Sequence, residues 1–211
     1  MWGNYQFKVA ASSARGHSGG ILMVWDLSVF ICSRVISLPN ILIVGGCFSG
    51  SSITCYLMNI YAPQSRVLKR HLWAYILSFM NNNRGEYIIF GNFNAVRFPH
   101  EVVRVRFCPL EANEFNSFIT NGNLVDVLLG GRSFTRANKA FTNRSLLDRF
   151  LVTNGIMSLF PSIMGSILSD IWSDHCPIIL KNDVVDYGPI PFKLFHSWFN
   201  VDGFDEVVVN A

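Results

Sequence analysis

Four short stretches of this 211-residue chain place polar side chains where apolar runs begin or end. In N-I-Y-A-P, Asn59 and Tyr61 stand two apart, so on a strand they share a face. In G-N-F-N, Asn92 and Asn94 repeat that spacing at the end of an apolar run, with Phe93 directed into the core. In S-L-L-D-R-F-L-V, Asp148 is a lone acid in an apolar strand, and in W-S-D-H-C-P, Ser173, Asp174 and His175 precede a last apolar run. A carboxylate beside an imidazole fixes its tautomer and favours its cation. A carboxylate oxygen also suits a hard cation such as Mg²⁺. Taken singly, each stretch has a plainer reading. N-I-Y-A-P is also a strand entering a proline turn, and G-N-F-N a turn that uses the tolerance of Asn for left-handed backbone. Asp148 could simply pair with Arg149 or Arg144, and Ser173-Asp174-His175 could be an Asx-type turn.

The elements that must position these residues follow from pattern. Gly20–Trp25, Val29–Ser37, Ile41–Val44 and Ser52–Tyr61 read as strands with short turns between them, which suggests an antiparallel meander. A helix is expected over about 66–82, with Val67, His71, Ala74, Leu77 and Met80 near a 3.6-residue period. Glu86–Gly91 is apolar enough for a strand buried on both faces. Residues 97–109 read as a basic loop, and Pro109 opens a helix that Gly122 stops. Leu124–Leu128, Ser133–Ala137, Leu147–Val152 and His175–Leu180 read as further strands, and Ile156–Phe160 as a helical turn. Strands grouped with a few helices indicate an α/β (α+β) domain.

Composition excludes several classes. Hydrophobic residues make up 50% and charged residues 15%, well under the usual ~25%, so disorder and coiled coil are excluded as the main state. The net charge of +3 is too small for a polybasic binder, although Arg97, Arg104, Arg106, Arg132, Arg136, Lys139, Arg144 and Arg149 concentrate mid-chain. Five cysteines without a C-x-x-C pair suggest a reducing compartment and neither a disulfide frame nor a zinc site. No apolar run has the length of a signal peptide or a membrane span, which points to an intracellular protein, nuclear or cytoplasmic and not secreted. After Asp186 the composition shifts to a proline-bearing extended segment. The expectation is a domain over 1–186 and a connector over 187–211 leading toward a domain the chain does not contain.

In their order, NIYAPQS, IIFGNFNAVR, EANEFNSFI, LVDVLLGGRSFT, LLDRFLVT and SDHCPIIL resemble the endonuclease/exonuclease/phosphatase superfamily. More narrowly they resemble the endonuclease domain of plant non-LTR (LINE-type) retrotransposon polyproteins. GPIPFKLFHSWF then resembles the connector before a reverse transcriptase, and the chain has no polymerase motif of its own. The resemblance implies a four-layer sandwich of two central, mostly antiparallel sheets flanked by helices, missing its first strand or strands. It implies Mg²⁺ (or Mn²⁺)-dependent phosphodiester hydrolysis on duplex DNA, with no membrane and no stable protein partner. His175 would meet the scissile phosphate and Asp148 would hold its ring. Asp174 would bind the metal; Asn59, Tyr61, Asn94, Arg97 and Ser173 would bind phosphate or the nucleic acid. The second position of G-N-F-N, Asn92, would align the attacking water.

Two departures bear on activity. The family shows Asp where this chain has Asn92, and an amide cannot usefully accept a proton. The Glu that is the family's principal metal ligand lies in an amino-terminal segment absent upstream of Trp2, so the metal would be weakly held. Arg136 also replaces a usual aromatic, and Leu146 a usual basic residue. The expected function is therefore a catalytically impaired endonuclease domain. The alternatives are a non-catalytic nucleic-acid-binding remnant and a small-molecule phosphatase of the same superfamily.

Overall fold

The computed structural model describes residues 6–13, 20–169 and 173–183, together with 203, 204 and 206. The expected connector at 187–211 lies, apart from those three positions, outside the described residues. The first half of the chain forms β1 (Phe7–Ser12), β2 (Ile21–Asp26), β3 (Phe30–Leu38), β4 (Ile41–Phe48), β5 (Cys55–Tyr61), α1 (Arg66–Asn82) and β6 (Glu86–Asn92). A single 3-10 turn at Pro99–Glu101 leads to β7 (Val102–Val103), α2 (Pro109–Asn121), β8 (Leu124–Asp126), β9 (Leu129–Gly131) and β10 (Arg136–Ala137). The rest is β11 (Arg144–Ser145), β12 (Asp148–Thr153), α3 (Asn154–Leu159), β13 (Ile163–Ile167) and β14 (Ile178–Asn182). Among the described residues no helix is long and apolar enough to cross a membrane.

The backbone of the molecule is a six-stranded sheet in the order β3-β4-β5-β6-β12-β8. Neighbours are antiparallel except β5 and β6, which run parallel because α1 carries the chain from one to the other. Period-two alternation sorts the apolar side chains onto two faces. Ile41, Ile43, Met58, Ile60, Ile89 and Leu151 join Trp73 of α1 and Phe115 of α2 in one core. Leu42, Val44, Cys55, Ile88, Phe150 and Val152 lie in a second core with Met23 and Trp25 of β2 and Ile156 of α3. Strands β1-β2 and β14-β13-β9 form the facing layer. The sandwich expected from the sequence is thus the architecture observed.

Several details differ from expectation, two of them in the pairing and packing of the first half of the chain. β2 pairs with β1 and not with β3, so the antiparallel meander is β3-β4-β5 alone. Helix α1 spans the expected residues but turns another face inward, burying Leu72, Trp73, Ile76 and Phe79 while Val67 and His71 are exposed. The period was right and its phase was not. Trp73 and Phe79 bring far more apolar area than Ala74 and His71, and burial of area decides the phase. The same face buries Lys69, whose ammonium donates to the carbonyl of Asn94 (2.8 Å) and to the Glu111 carboxylate of α2. One cation thereby ties both helices to the turn after β6.

Candidate functional site

The register of the central sheet assembles the first part of the site. Tyr61 at the end of β5 is opposite Asn92 at the end of β6, and Asn92 is opposite Asp148 at the start of β12. Strands are spaced about 4.8 Å apart, so the three backbones fall in a row roughly 10 Å long. All three positions share the phase of Leu57, Phe90 and Phe150, so their side chains lie on the face toward the second layer. Gly91 precedes this row at φ 116°, where a Cβ would come within 2.2 Å of the Ile60 carbonyl. Only glycine lets β6 approach β5 that closely.

Beyond β6 the chain turns sharply. The Asn92 side-chain oxygen accepts the backbone N–H of Asn94 (2.8 Å), and Asn94 takes φ 46°. The Asn94 amide donates to the Ala62 carbonyl (2.6 Å), and the Ala62 N–H donates to the Asn92 carbonyl (2.8 Å). Asn94 is therefore in a left-handed turn and not on the strand, as the turn reading of G-N-F-N anticipated. Phe93 points into the first core and is fully buried. Tyr61 and Asn94 line a hollow of about 400 Å³.

The second part of the site comes from the other layer. Asp148 Oδ2 lies 2.8 Å from His175 Nδ1, with the pair partly buried. That hydrogen bond raises the His175 pKa above 6.5; burial opposes it, and the charges of Asp148 and Asp174 add to it. With Nδ1 committed, Nε2 is the ring's remaining donor. His175 does not belong to the last strand, which starts at Ile178, but makes an isolated bridge to Arg136. Ser173 Oγ accepts the His175 N–H (3.1 Å), so the turn reading of Ser-Asp-His holds together with the imidazole–carboxylate pair. Thr135, which sequence reasoning passed over, is completely buried. Its hydroxyl accepts the N–H groups of Leu147 and Asp148 (3.0 Å each), and its carbonyl accepts that of Cys176. It clips the start of β12 to the His175 segment.

In a ¹H–¹³C NMR titration, His175 is expected to have its midpoint above the ordinary imidazole value, and Asp148→Asn to bring it down. Because the folded-state pKa is raised, the pair's stabilisation is fully present below the unfolded value of about 6.5 and is lost as pH rises through the folded value. A His175 midpoint that Asp148→Asn leaves unchanged would contradict the pairing.

The remaining sequence-nominated residues are engaged in other ways. Asn59 donates to the Leu22 carbonyl (3.4 Å) and so bridges the two layers. Arg97 is held by Asp126 (2.9 Å) and Asn116 (2.8 Å) and lies over Phe98, in the residue 97–109 segment and outside the row. Glu101, Glu111 and Glu114 pair with Arg149, Lys69 and Arg66. Asp174 is half-exposed and accepts from Arg136 Nε at 3.2 Å. Arg136 and Asp174 line an open groove of about 1040 Å³ that also holds Arg132, Lys139, Arg144 and Phe134. Arg144 stacks 5.1 Å from the Phe134 ring, which keeps its charge on the groove wall.

A divalent cation fits this donor set poorly. Mg²⁺ wants near-octahedral oxygen ligands, usually one or two carboxylates plus substrate phosphates. Among the described residues no three His, Cys, Asp or Glu side chains cluster as a metal site. Asp148 is taken by His175, Asn92 carries no charge, and Asp174, the one carboxylate left among the described site residues, is already neutralised by Arg136.

A mixed central sheet faced by a second strand layer, with a polar site where strands of both layers end, is the α/β sandwich of AP endonuclease-like proteins. The similar solved structures carry that fold. An AP endonuclease from Archaeoglobus fulgidus superposes with a TM-score of 0.63 at 16% identity, over 85% of this chain and 80% of that one. The endonuclease domain of TRAS1, a telomere-specific non-LTR retrotransposon, gives 0.60 at 16% identity over 84% and 79%. The 3′ phosphatase NExo from Neisseria, bound to product DNA hairpin, gives 0.60 at 15% identity over 84% and 80%. No protein-family model and no curated protein sequence matches the chain.

Proposed function

We propose that this chain is a retrotransposon-derived endonuclease domain, of the plant LINE type, that engages the phosphate backbone of DNA and cuts it poorly. The observation that carries the proposal is the Asp148–His175 hydrogen bond, formed where Tyr61 and Asn92 also end their strands. A protonated imidazole held by a carboxylate can donate from Nε2 to a phosphate oxygen and stabilise charge developing there. Tyr61, two strands along the same row, supplies a neutral donor, and the open groove with Arg132, Arg136, Lys139 and Arg144 suits a polyanion better than a small phosphoester. DNA as the ligand implies work in the nucleus, or in the cytoplasm before entry.

Impairment follows from Asn92. Its amide oxygen is occupied by the Asn94 N–H and cannot take a proton from water, and general-base action is typically worth ~10²–10⁴ in rate. A duplex of mixed sequence should bind at low salt, with log K falling against log salt by about 0.9 per neutralised phosphate, so by roughly 3.6 if all four groove cations contribute. Plasmid nicking should stay at background under the same conditions. No binding at low salt would end the proposal, and brisk nicking by the native chain would end the claim of impairment.

A further inference from the structure

We propose that Arg136 is the resident cation of this site, so that the groove binds nucleic-acid phosphate without a divalent metal. This rests on the reading of the groove as a DNA-backbone surface and says which cation does the work. Arg136 is fixed beside the imidazole pair by backbone as well as by charge. It forms the isolated bridge to His175, the next residue Ala137 donates its N–H to the Asp174 carbonyl (2.9 Å), and Arg136 Nε donates to the Asp174 carboxylate (3.2 Å). Both side chains of the ion pair are about half exposed, at 49% and 51%, so the pair faces the groove and is not sealed away.

A guanidinium has five N–H donors, and Asp174 takes one. Among the described residues Asp174 is its only carboxylate partner. The terminal nitrogens of the fork suit the two oxygens of a phosphodiester, a geometry that Arg favours over Lys. For Mg²⁺ to use Asp174 it would have to displace a tethered arginine, surrender part of a tightly held water shell and find its other ligands among neutral side chains. Arg132, Lys139 and Arg144 add to the positive potential of the same groove, while Asp174 is the one acid among the described residues of its lining. Electrostatics therefore favours an anion here and opposes a second cation.

The two possible roles of Asp174 predict opposite signs. If it held a metal, Asp174→Asn would weaken DNA binding. If it is the counter-ion of Arg136, the same change leaves the guanidinium unneutralised and tightens binding. We would measure duplex affinity by fluorescence anisotropy in EDTA and in Mg²⁺ at matched ionic strength, for the native chain, Asp174→Asn, Arg136→Ala and Arg136→Lys. The native affinity should agree within about twofold in the two buffers, Asp174→Asn should bind more tightly in EDTA, and Arg136→Ala should lose about tenfold, since one phosphate contact is removed. Arg136→Lys keeps the charge without the fork and should fall between. As a DNA-free check, the electron paramagnetic resonance signal of Mn²⁺ should show no saturable binding to the native chain. Affinity that appears only with Mg²⁺, or saturable Mn²⁺ binding abolished by Asp174→Asn, overturns the inference while leaving DNA recognition standing. Absence of binding in both buffers overturns the functional reading and this inference with it.

Discussion

Replacing Arg149 with methionine is expected to lower the free energy of unfolding by about 3–5 kcal/mol, the usual result of removing one partner from a buried ion pair. Arg149 sits in β12, one residue after Asp148, with a side chain only 4% exposed. One terminal nitrogen donates to Asp126 (2.8 Å) and the other to Glu101, itself 6% exposed. Asp126 also accepts from Arg97 (2.9 Å), and Glu101 Oε2 accepts the backbone N–H of Arg97 (2.6 Å). Methionine would fill much of the volume but leave the buried Glu101 and the partly buried Asp126 carboxylates with a single cation between them. The damage should reach the site, because the Glu101 carbonyl accepts the N–H of Leu146, two residues before Asp148. Urea denaturation should show the midpoint falling with an unchanged slope. Arg149→Lys should recover only part of the loss, since an ammonium cannot span both carboxylates as a fork does. A loss under about 1 kcal/mol would mean that the network is dispensable.

That network marks the boundary between what the sequence discloses and what it hides. Local pattern was enough for the strands at Ile41, Ser52, Glu86 and Leu147 and for both long helices, because each needs only its own periodicity and punctuation. The row Tyr61, Asn92, Asp148 was legible as polar residues at strand ends, although only the register of β5, β6 and β12 makes them neighbours. Short strands escaped. β7, β9 and β11 have only two or three residues and exist because a partner pairs with them, and β1, mostly exposed, and β13 lack a strong apolar run of their own. Long-range ion pairs escaped as well. Arg149 meets Glu101 across 48 positions and Arg136 meets Asp174 across 38, distances over which charge in a sequence carries no address. Arg136 stood out as a missing aromatic and as one of the mid-chain basic residues, and its structural meaning comes from the carboxylate it faces.

The same separation explains why Phe93→Ala should be the most informative core substitution. Its ring is fully buried and packs against Trp73 (5.9 Å) and Phe115 (5.4 Å), so truncation should cost about 3–5 kcal/mol through lost transfer energy and the cavity left behind. Phe115→Ala empties the same core from the helix side and should cost a similar amount. The two differ in what they anchor. Phe93 lies between Asn92 and Asn94, so the ring is the peg that holds the turn while buried Asn92 faces the second layer and Asn94 lines the hollow beside Tyr61. Lys69 grips the Asn94 carbonyl from α1, but one hydrogen bond to a turn that has lost its peg cannot fix its angle. Under conditions where both variants remain folded, Phe93→Ala should weaken duplex binding and speed amide hydrogen exchange at Asn94, while Phe115→Ala leaves both near the native values. Equal exchange at Asn94 in the two variants would show that the turn is held by its own hydrogen bonds to Asn92 and Ala62, and that the core beneath it sets stability alone.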